Sequence, residues 1–277
     1  MQINGAPEEE SIGEAAYRRI RADIVFARLP PGQKLGLDWM RETYGASVST
    51  LRELLSRLAS ESLIVAEGQR GFEVAPVSPE EFRELAALRL LLEVHAMEGS
   101  FTAGGLDWEG GVVAAHHKLE RVERQLLAGE TADPQVWKRY DWEFHRALIA
   151  ACGSRALLQA HAAVYDRYLR YQMVAMIFRG AIPAEEHRRL RDAALARDSA
   201  AARAILADHL NGCVDYVLTT GGLRSFTGEG RAASAQATAV PRRPARAARP
   251  GDAAKAGLGG SPTRSGRKRS AEATSSG

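Results

Sequence analysis

Four ionisable side chains are spaced for metal chemistry. Asp141 and His145 stand four residues apart in YDWEFHRAL, which on a helix puts a carboxylate and an imidazole on one face, a turn apart and within reach of a single ion. His187 in EEHRRL and His209 in ADHLNG lie in two further helical stretches that meet at the RDSA turn, about ten and about twelve residues from it. If those helices are antiparallel, the two imidazoles come level. Two readings stay open: four ligands converging on one ion, or packed and surface side chains such as His95, His116, His117 and His161 are expected to be.

The elements that must position these residues form a wholly helical region from Ser78 onward. It opens on SPEEF, where Ser78 can cap, Pro79 suits the first helical position and Glu81 closes a capping box. Segments 79–101, 107–128, 134–151, 154–178, 183–197 and 199–220 each have amphipathic spacing, with Gly, Pro or polar breaks between them. This predicts a six- or seven-helix bundle over 78–222. No Gly-rich phosphate loop, nucleophile elbow or paired-cysteine motif is present. The two cysteines, Cys152 and Cys213, are too few for a disulfide framework and are expected to be small core residues.

A different pattern precedes the bundle, over residues 11–76. Ser11 can cap a helix with Ala15, Ile20, Ile24 and Val25 on its inner side, stopped by LPPGQKL. A short helix from about Asp38 ends at Gly45. A third begins near Ser47 and Ser49 and carries Leu51, Leu54, Leu55 and Leu58 on one face, with Thr50, Arg52 and Arg57 opposite. LIVAE and GFEVA are then two β-prone runs around a turn with Gly68 and Gly71. Helix, turn, helix and hairpin make a winged helix-turn-helix, whose second helix can enter the major groove. Ser47, Ser49, Thr50 and Arg52 cluster where phosphates and base edges would be met, and Arg70 with Gly71 forms the wing tip. The alternative is a trihelical fold without DNA, in which Arg52 pairs with Glu53 or Glu42.

Charge divides the chain further. Residues 224–277 hold 11 Lys and Arg against 3 Asp and Glu, a net of +8, whereas the whole chain is +3; residues 1–223 are therefore about −5. The pI of 9.0 belongs to the tail and is not evidence of DNA binding. With few large apolar residues the tail is expected to be disordered, as either a non-specific phosphate-binding arm or a solvated extension. Residues 1–10 are expected to be a flexible start. The acidic opening MQINGAPEEES and the lack of a long apolar run predict a cytoplasmic protein without a membrane partner.

YRRIRADIVFARLPPGQKL, ASVSTLRELLSRLASESLI and GQRGFEVAPVS together resemble GntR-type transcription regulators. The resemblance spans 11–76 and implies DNA contacts for Arg52, Ser47, Ser49, Thr50, Arg70 and Gly71. Val48 stands where many members carry arginine, a departure that touches base reading. The helical region resembles the FCD-type ligand domain of the FadR branch, in which an Asp and three His of this order hold a divalent metal. Asp141, His145, His187 and His209 match all four positions, and zinc, nickel or manganese suits the set. Arg89 resembles the arginine that faces the effector, with an ion pair to Glu93 as the alternative. Arg170, between Tyr168 and Tyr171, is a second candidate, with a place among bundle aromatics as its alternative. Ser154 replaces a frequent asparagine.

The expected function is a ligand-responsive homodimeric regulator, repression being the commoner mode in the family it resembles. A metal and a small carboxylic acid in the helical domain would modulate binding to double-stranded operator DNA. The leading rival is a metal-dependent hydrolase-like enzyme, for which no base is evident because Glu143 and Glu186 lie on other helical faces than Asp141 and His187. A third reading is non-specific DNA binding through the basic tail.

Overall fold

The computed structural model describes residues 11–66, 71–130, 133–175 and 179–223. Residues 1–10, the wing residue Arg70 and the tail 224–277 lie outside them. The N-terminal part contains α1 (Ile12–Val25), β1 (Lys34–Leu35), α2 (Leu37–Tyr44), α3 (Val48–Ser60), β2 (Ile64–Ala66) and β3 (Phe72–Val74). The rest is helical: α4 (Pro79–Ala103), α5 (Leu106–Leu127), α6 (Pro134–Ile149), α7 (Arg155–Val174), α8 (Ala181–Leu195) and α9 (Ser199–Thr220).

Local chemistry accounts for most boundaries. Ser11 and Ser47 cap α1 and α3 by accepting the N–H of Glu14 and Thr50. α1 stops before the two prolines, at Phe26, and Ala27 then adopts a left-handed φ of 55°. Its inner face uses Ala16 and Tyr17, with Ala15 only half-buried. Gly45, at φ 70°, ends α2 in a conformation that disfavours a Cβ. Leu51, Leu54, Leu55 and Leu58 of α3 are buried, each contributing roughly 2 kcal/mol of apolar transfer. The wing has a third strand that periodicity did not predict: β3 pairs antiparallel with β2 and also with β1, only two residues long.

Six helices form the bundle among the described residues. α4 packs on α7 and α9, α5 on α6 and α8, and α8 on α9. α8 begins two residues before Pro183, because first-turn N–H groups need no intrahelical acceptor and proline is tolerated there. Cys213 is buried and Cys152 half-buried.

The expected capping box at 78–81 is only half formed. Ser78 Oγ accepts the Glu81 N–H, but the Ser78 N–H donates to the Tyr171 hydroxyl at 3.2 Å, which itself donates to Glu81 Oε2 at 2.5 Å. α7 has inserted a phenol into the box. Removing that hydroxyl leaves the Ser78 N–H without its acceptor and Glu81 with only the Arg167 guanidinium at its other oxygen, so Tyr171→Phe should lower the unfolding free energy by about 1–2 kcal/mol in urea titrations. An unchanged midpoint would show that water replaces the phenol freely.

Candidate functional site

α6 carries Asp141 and His145 on one buried face, α8 carries His187 and α9 carries His209. One ligand atom from each lies within 4.8 Å of the others, and all four residues are buried. The antiparallel packing of α8 on α9 brings the His187 and His209 rings to 4.8 Å between centroids, as their distances from the turn predict.

Three carboxylates that the sequence did not link to the histidines orient the imidazoles. His145 Nδ1 is bonded to Glu93 of α4, His187 Nδ1 to Glu123 of α5 at 2.8 Å, and His209 Nδ1 to Glu186 of α8 at 2.8 Å. With each Nδ1 so engaged, each Nε2 is the ring atom left for a ligand. His145 Nε2 and His187 Nε2 are buried without a hydrogen-bond partner. His187 Nε2 lies 3.3 Å from Asp141 Oδ1, near enough for charge attraction but outside hydrogen-bond geometry. Asp141 Oδ2 accepts from the Tyr165 hydroxyl at 2.6 Å and lies 3.6 Å from Lys138 Nζ.

Buried Nε2 atoms left open beside a carboxylate, with each Nδ1 held by an acid, are the donor set that a divalent transition metal requires. Ligands about 2.1 Å from a shared ion stand at most about 4.2 Å apart, so a few tenths of an ångström of closure per side would complete the site. The groups are tuned accordingly. Burial pushes Asp141 up, but Lys138, His187 and His145 hold it well below the usual carboxylate range. Burial lowers His145, and it lowers His209 further with help from His187 and His145, so both are neutral. At His187 burial is outweighed by Glu123 and Asp141, and the pKa rises to about 9.

Arg89 forms the ion pair with Glu93 through only part of its guanidinium. Its Nε donates to Glu93 Oε2 at 2.9 Å, Nη1 and Nη2 are buried without hydrogen-bond partners, and its Cζ lies 4.3 and 4.8 Å from the ring centroids of Tyr165 and Tyr168. Arg170 is engaged elsewhere: its Nη2 donates to the carbonyls of Ala75 and Pro76, in the segment joining the wing to α4. A small cavity beside the quartet is lined by Lys138, Asp141, Gln172, Arg179, His209 and Cys213. Glu186, expected on a different face from His187, is on that face and meets His209 from it. Glu143 pairs with Lys118 and Arg139 on the surface. His161 and His116 are buried, and Ser154 caps α7.

At the other end of the chain, Ser47 Oγ lies 2.9 Å from both Ser49 Oγ and Thr50 Oγ1 at the start of α3. Arg52 is exposed, and among the described residues no ion pair ties it to Glu42 or Glu53. Arg57, expected beside it, instead lies over the Tyr17 ring and pairs with Glu14. Gly71 has a φ of 95°, which suits glycine at the wing.

The family model for bacterial regulatory proteins of the gntR family matches residues 12–74, and the FCD domain model matches residues 84–212. The HTH-type transcriptional regulator BphR of Paraburkholderia xenovorans (strain LB400) is 36% identical over 216 residues, 77% of this chain and 88% of its own. The HTH-type transcriptional repressor GlaR of Escherichia coli (strain K12) is 31% identical over 201 residues, 70% of this chain and 90% of its own. Among solved structures, E. coli McbR/YncC shares the fold at a TM-score of 0.65 and 19% identity, covering 76% of this chain and 99% of its own.

A raised His187 pKa stabilises the metal-free fold most where the imidazole is protonated in both folded and unfolded chains, and the benefit declines once only the folded imidazole keeps its proton. That contribution is complete below about pH 6.5 and disappears as pH rises through about 9. Chelator-treated protein should therefore lose up to ~3 kcal/mol across this interval, a slope that His187→Gln should remove. An equal slope in the variant would assign it to another group.

Proposed function

The chain belongs to the GntR family of bacterial regulatory proteins, with an FCD domain after its helix-turn-helix, and from that premise we propose that it represses transcription under control of a metal and a small carboxylic acid. Members of this family are transcription regulators that bind DNA, and no described helix is long and apolar enough to cross a membrane. In this reading residues 11–76 bind the operator, residues 78–222 bind the effector and form the homodimer, and the tail adds only weak phosphate attraction.

The observation that carries the reading is the buried cluster of Asp141, His145, His187 and His209, one ligand atom of each within 4.8 Å of the others and each imidazole held at Nδ1 by its own glutamate. A bound zinc, nickel or manganese ion would supply a Lewis-acid anchor for an anion. The chain's own charges explain why an anion should follow. Glu93, Glu123, Asp141 and Glu186 face three cations, Arg89, Lys138 and Arg179, leaving one negative charge that the His187 proton balances. Replacing that proton by a dication leaves one positive charge in excess, which a monocarboxylate neutralises. The unpartnered Nη1 and Nη2 of Arg89 are suited to bidentate grip of its oxygens. Arg170 remains with the linker in this scheme.

On the DNA side, the hydroxyls of Ser47, Ser49 and Thr50 meet phosphates at the α3 N-terminus, and Arg52 reaches the base edges, flanked by the wing at Arg70 and Gly71. Val48 offers only apolar contact. Two copies related by a two-fold axis place two α3 helices on an inverted-repeat operator. Repression is the reading supported by the similarity to GlaR, a transcriptional repressor.

Two experiments test the halves separately. Calorimetric titration with zinc at pH 7 should release about one proton per site, and affinity should rise about tenfold per pH unit up to about pH 9, where His187 has lost its proton. His187→Ala should abolish binding, and in zinc-loaded wild type a carboxylic acid at 100 times its Kd should add about 2.7 kcal/mol of stability. Zinc binding that survives the variant unchanged would remove the quartet from consideration. For DNA, Arg52→Ala should weaken binding to a fragment selected from random DNA by the wild type by about tenfold or more, with little change on unselected DNA. Equal losses on both would limit Arg52 to a phosphate contact.

A further inference from the structure

α7 touches the candidate metal centre and the DNA-binding domain with two adjacent residues. Successive helical residues project about 100° apart, so Tyr165 turns into the bundle and Asp166 turns toward α1. The Tyr165 hydroxyl donates to Asp141 Oδ2 at 2.6 Å. Asp166 Oδ2 accepts from Arg21 Nη2 of α1 at 2.5 Å, and Arg21 Nε donates to Glu61 Oε2 at 3.0 Å. Glu61 caps the C-terminal end of α3 and also accepts from the Tyr17 hydroxyl of α1. Joined through the α7 backbone between Tyr165 and Asp166, these polar contacts thus lead from Asp141 to Tyr17 and Arg21 of α1 and to the C-terminal end of α3, the recognition helix.

The same helix grips the domain junction at nearby positions. Leu169 and the ring of Tyr165 belong to the apolar core of the helix-turn-helix, and Arg170 holds the linker carbonyls of Ala75 and Pro76. Trp142, next to Asp141, packs on Tyr165 at 4.5 Å between centroids and stacks on His161. A purely apolar route through Trp142 therefore runs beside the polar one.

We propose that the Asp166–Arg21 ion pair is the latch through which occupancy of the Asp141 centre reaches α1 and the end of α3. This rests on the metal reading of that centre. An ion held at Asp141 Oδ1 leaves Oδ2 with the Tyr165 hydroxyl, so occupancy fixes α7 at residue 165, and the neighbouring carboxylate transmits that order to Arg21 and Glu61. Asp166 is a positioning residue that touches neither metal nor DNA.

Hydrogen exchange of the full chain, with zinc or with chelator, tests this alongside calorimetric titration. Zinc should slow exchange in α1 and the last turn of α3 by about fivefold or more in the wild type, the low end of usual coupling between sites. In Asp166→Asn, zinc affinity should stay within about twofold and α6 and α8 should still slow, while the response of α1 is lost. An α1 response that survives in the variant would overturn the latch in favour of the Trp142 route, and a wild-type α1 indifferent to zinc would overturn it outright. If the wild type binds no zinc, the metal reading falls separately, and Tyr165→Phe decides the latch in the metal-free chain. It should speed α1 exchange when Asp166 is present and have no further effect in Asp166→Asn; additive effects would overturn the proposal. Should Asp166→Asn fail to fold, Arg21→Gln reads the same contact.

Discussion

A carboxylate taken out of water must be met by positive charge or by hydrogen-bond donors, and four of them meet at the centre of this bundle. Glu93, Glu123, Asp141 and Glu186 are faced by four imidazoles, two arginines, a lysine and the Tyr165 hydroxyl, which come from other turns and other helices, and of their oxygens Glu123 Oε2 is buried without a hydrogen-bond partner. That requirement governs the arrangement of α4, α5, α6, α8 and α9 around a polar core. It also selects the tautomers: an acid at each Nδ1 leaves each Nε2 to face inward. Shape, charge and ligand set are one constraint seen from three sides.

The second constraint is the junction. α7 is long enough to serve the bundle and the helix-turn-helix together, and its residues alternate between them. Tyr168 and Tyr171 pack into the bundle beside Phe82, Tyr165 and Leu169 enter the other core, and Arg170 and Tyr171 secure the linker and the start of α4. A helix with partners on several sides cannot show a simple amphipathic stripe. Its single face is blurred because from His161 onward every position except Ala163 is at least partly buried.

Local patterns were therefore legible and cross-helix ones were not. The i, i+4 pair Asp141 and His145, the serine caps, the leucine face of α3 and the breaks between the bundle helices all follow from rules acting within a few residues. The level placement of His187 and His209 followed from a turn and an antiparallel pair. Arg89 was visible as a cation on an apolar helix, and its division between Glu93 and two unpartnered nitrogens needed the neighbouring aromatic rings. Arg170 was a second effector candidate, with a place among bundle aromatics as its alternative, yet its guanidinium turned to the linker, whose position no spacing encodes.

The sequence by itself determined the order of the two domains, the recognition helix with its polar N-terminus, the all-helical region and the four residues of the candidate centre, because each depends on spacing along one chain. Tertiary structure alone decided that Glu93, Glu123 and Glu186 stand behind the histidines, that Tyr171 enters the cap at Ser78, and that Tyr165 and Asp166 join the centre to α1. Those contacts bring together residues separated by 23 to 145 positions. Their geometry is set by which helical faces pack together, a property of the assembled core that no local segment carries.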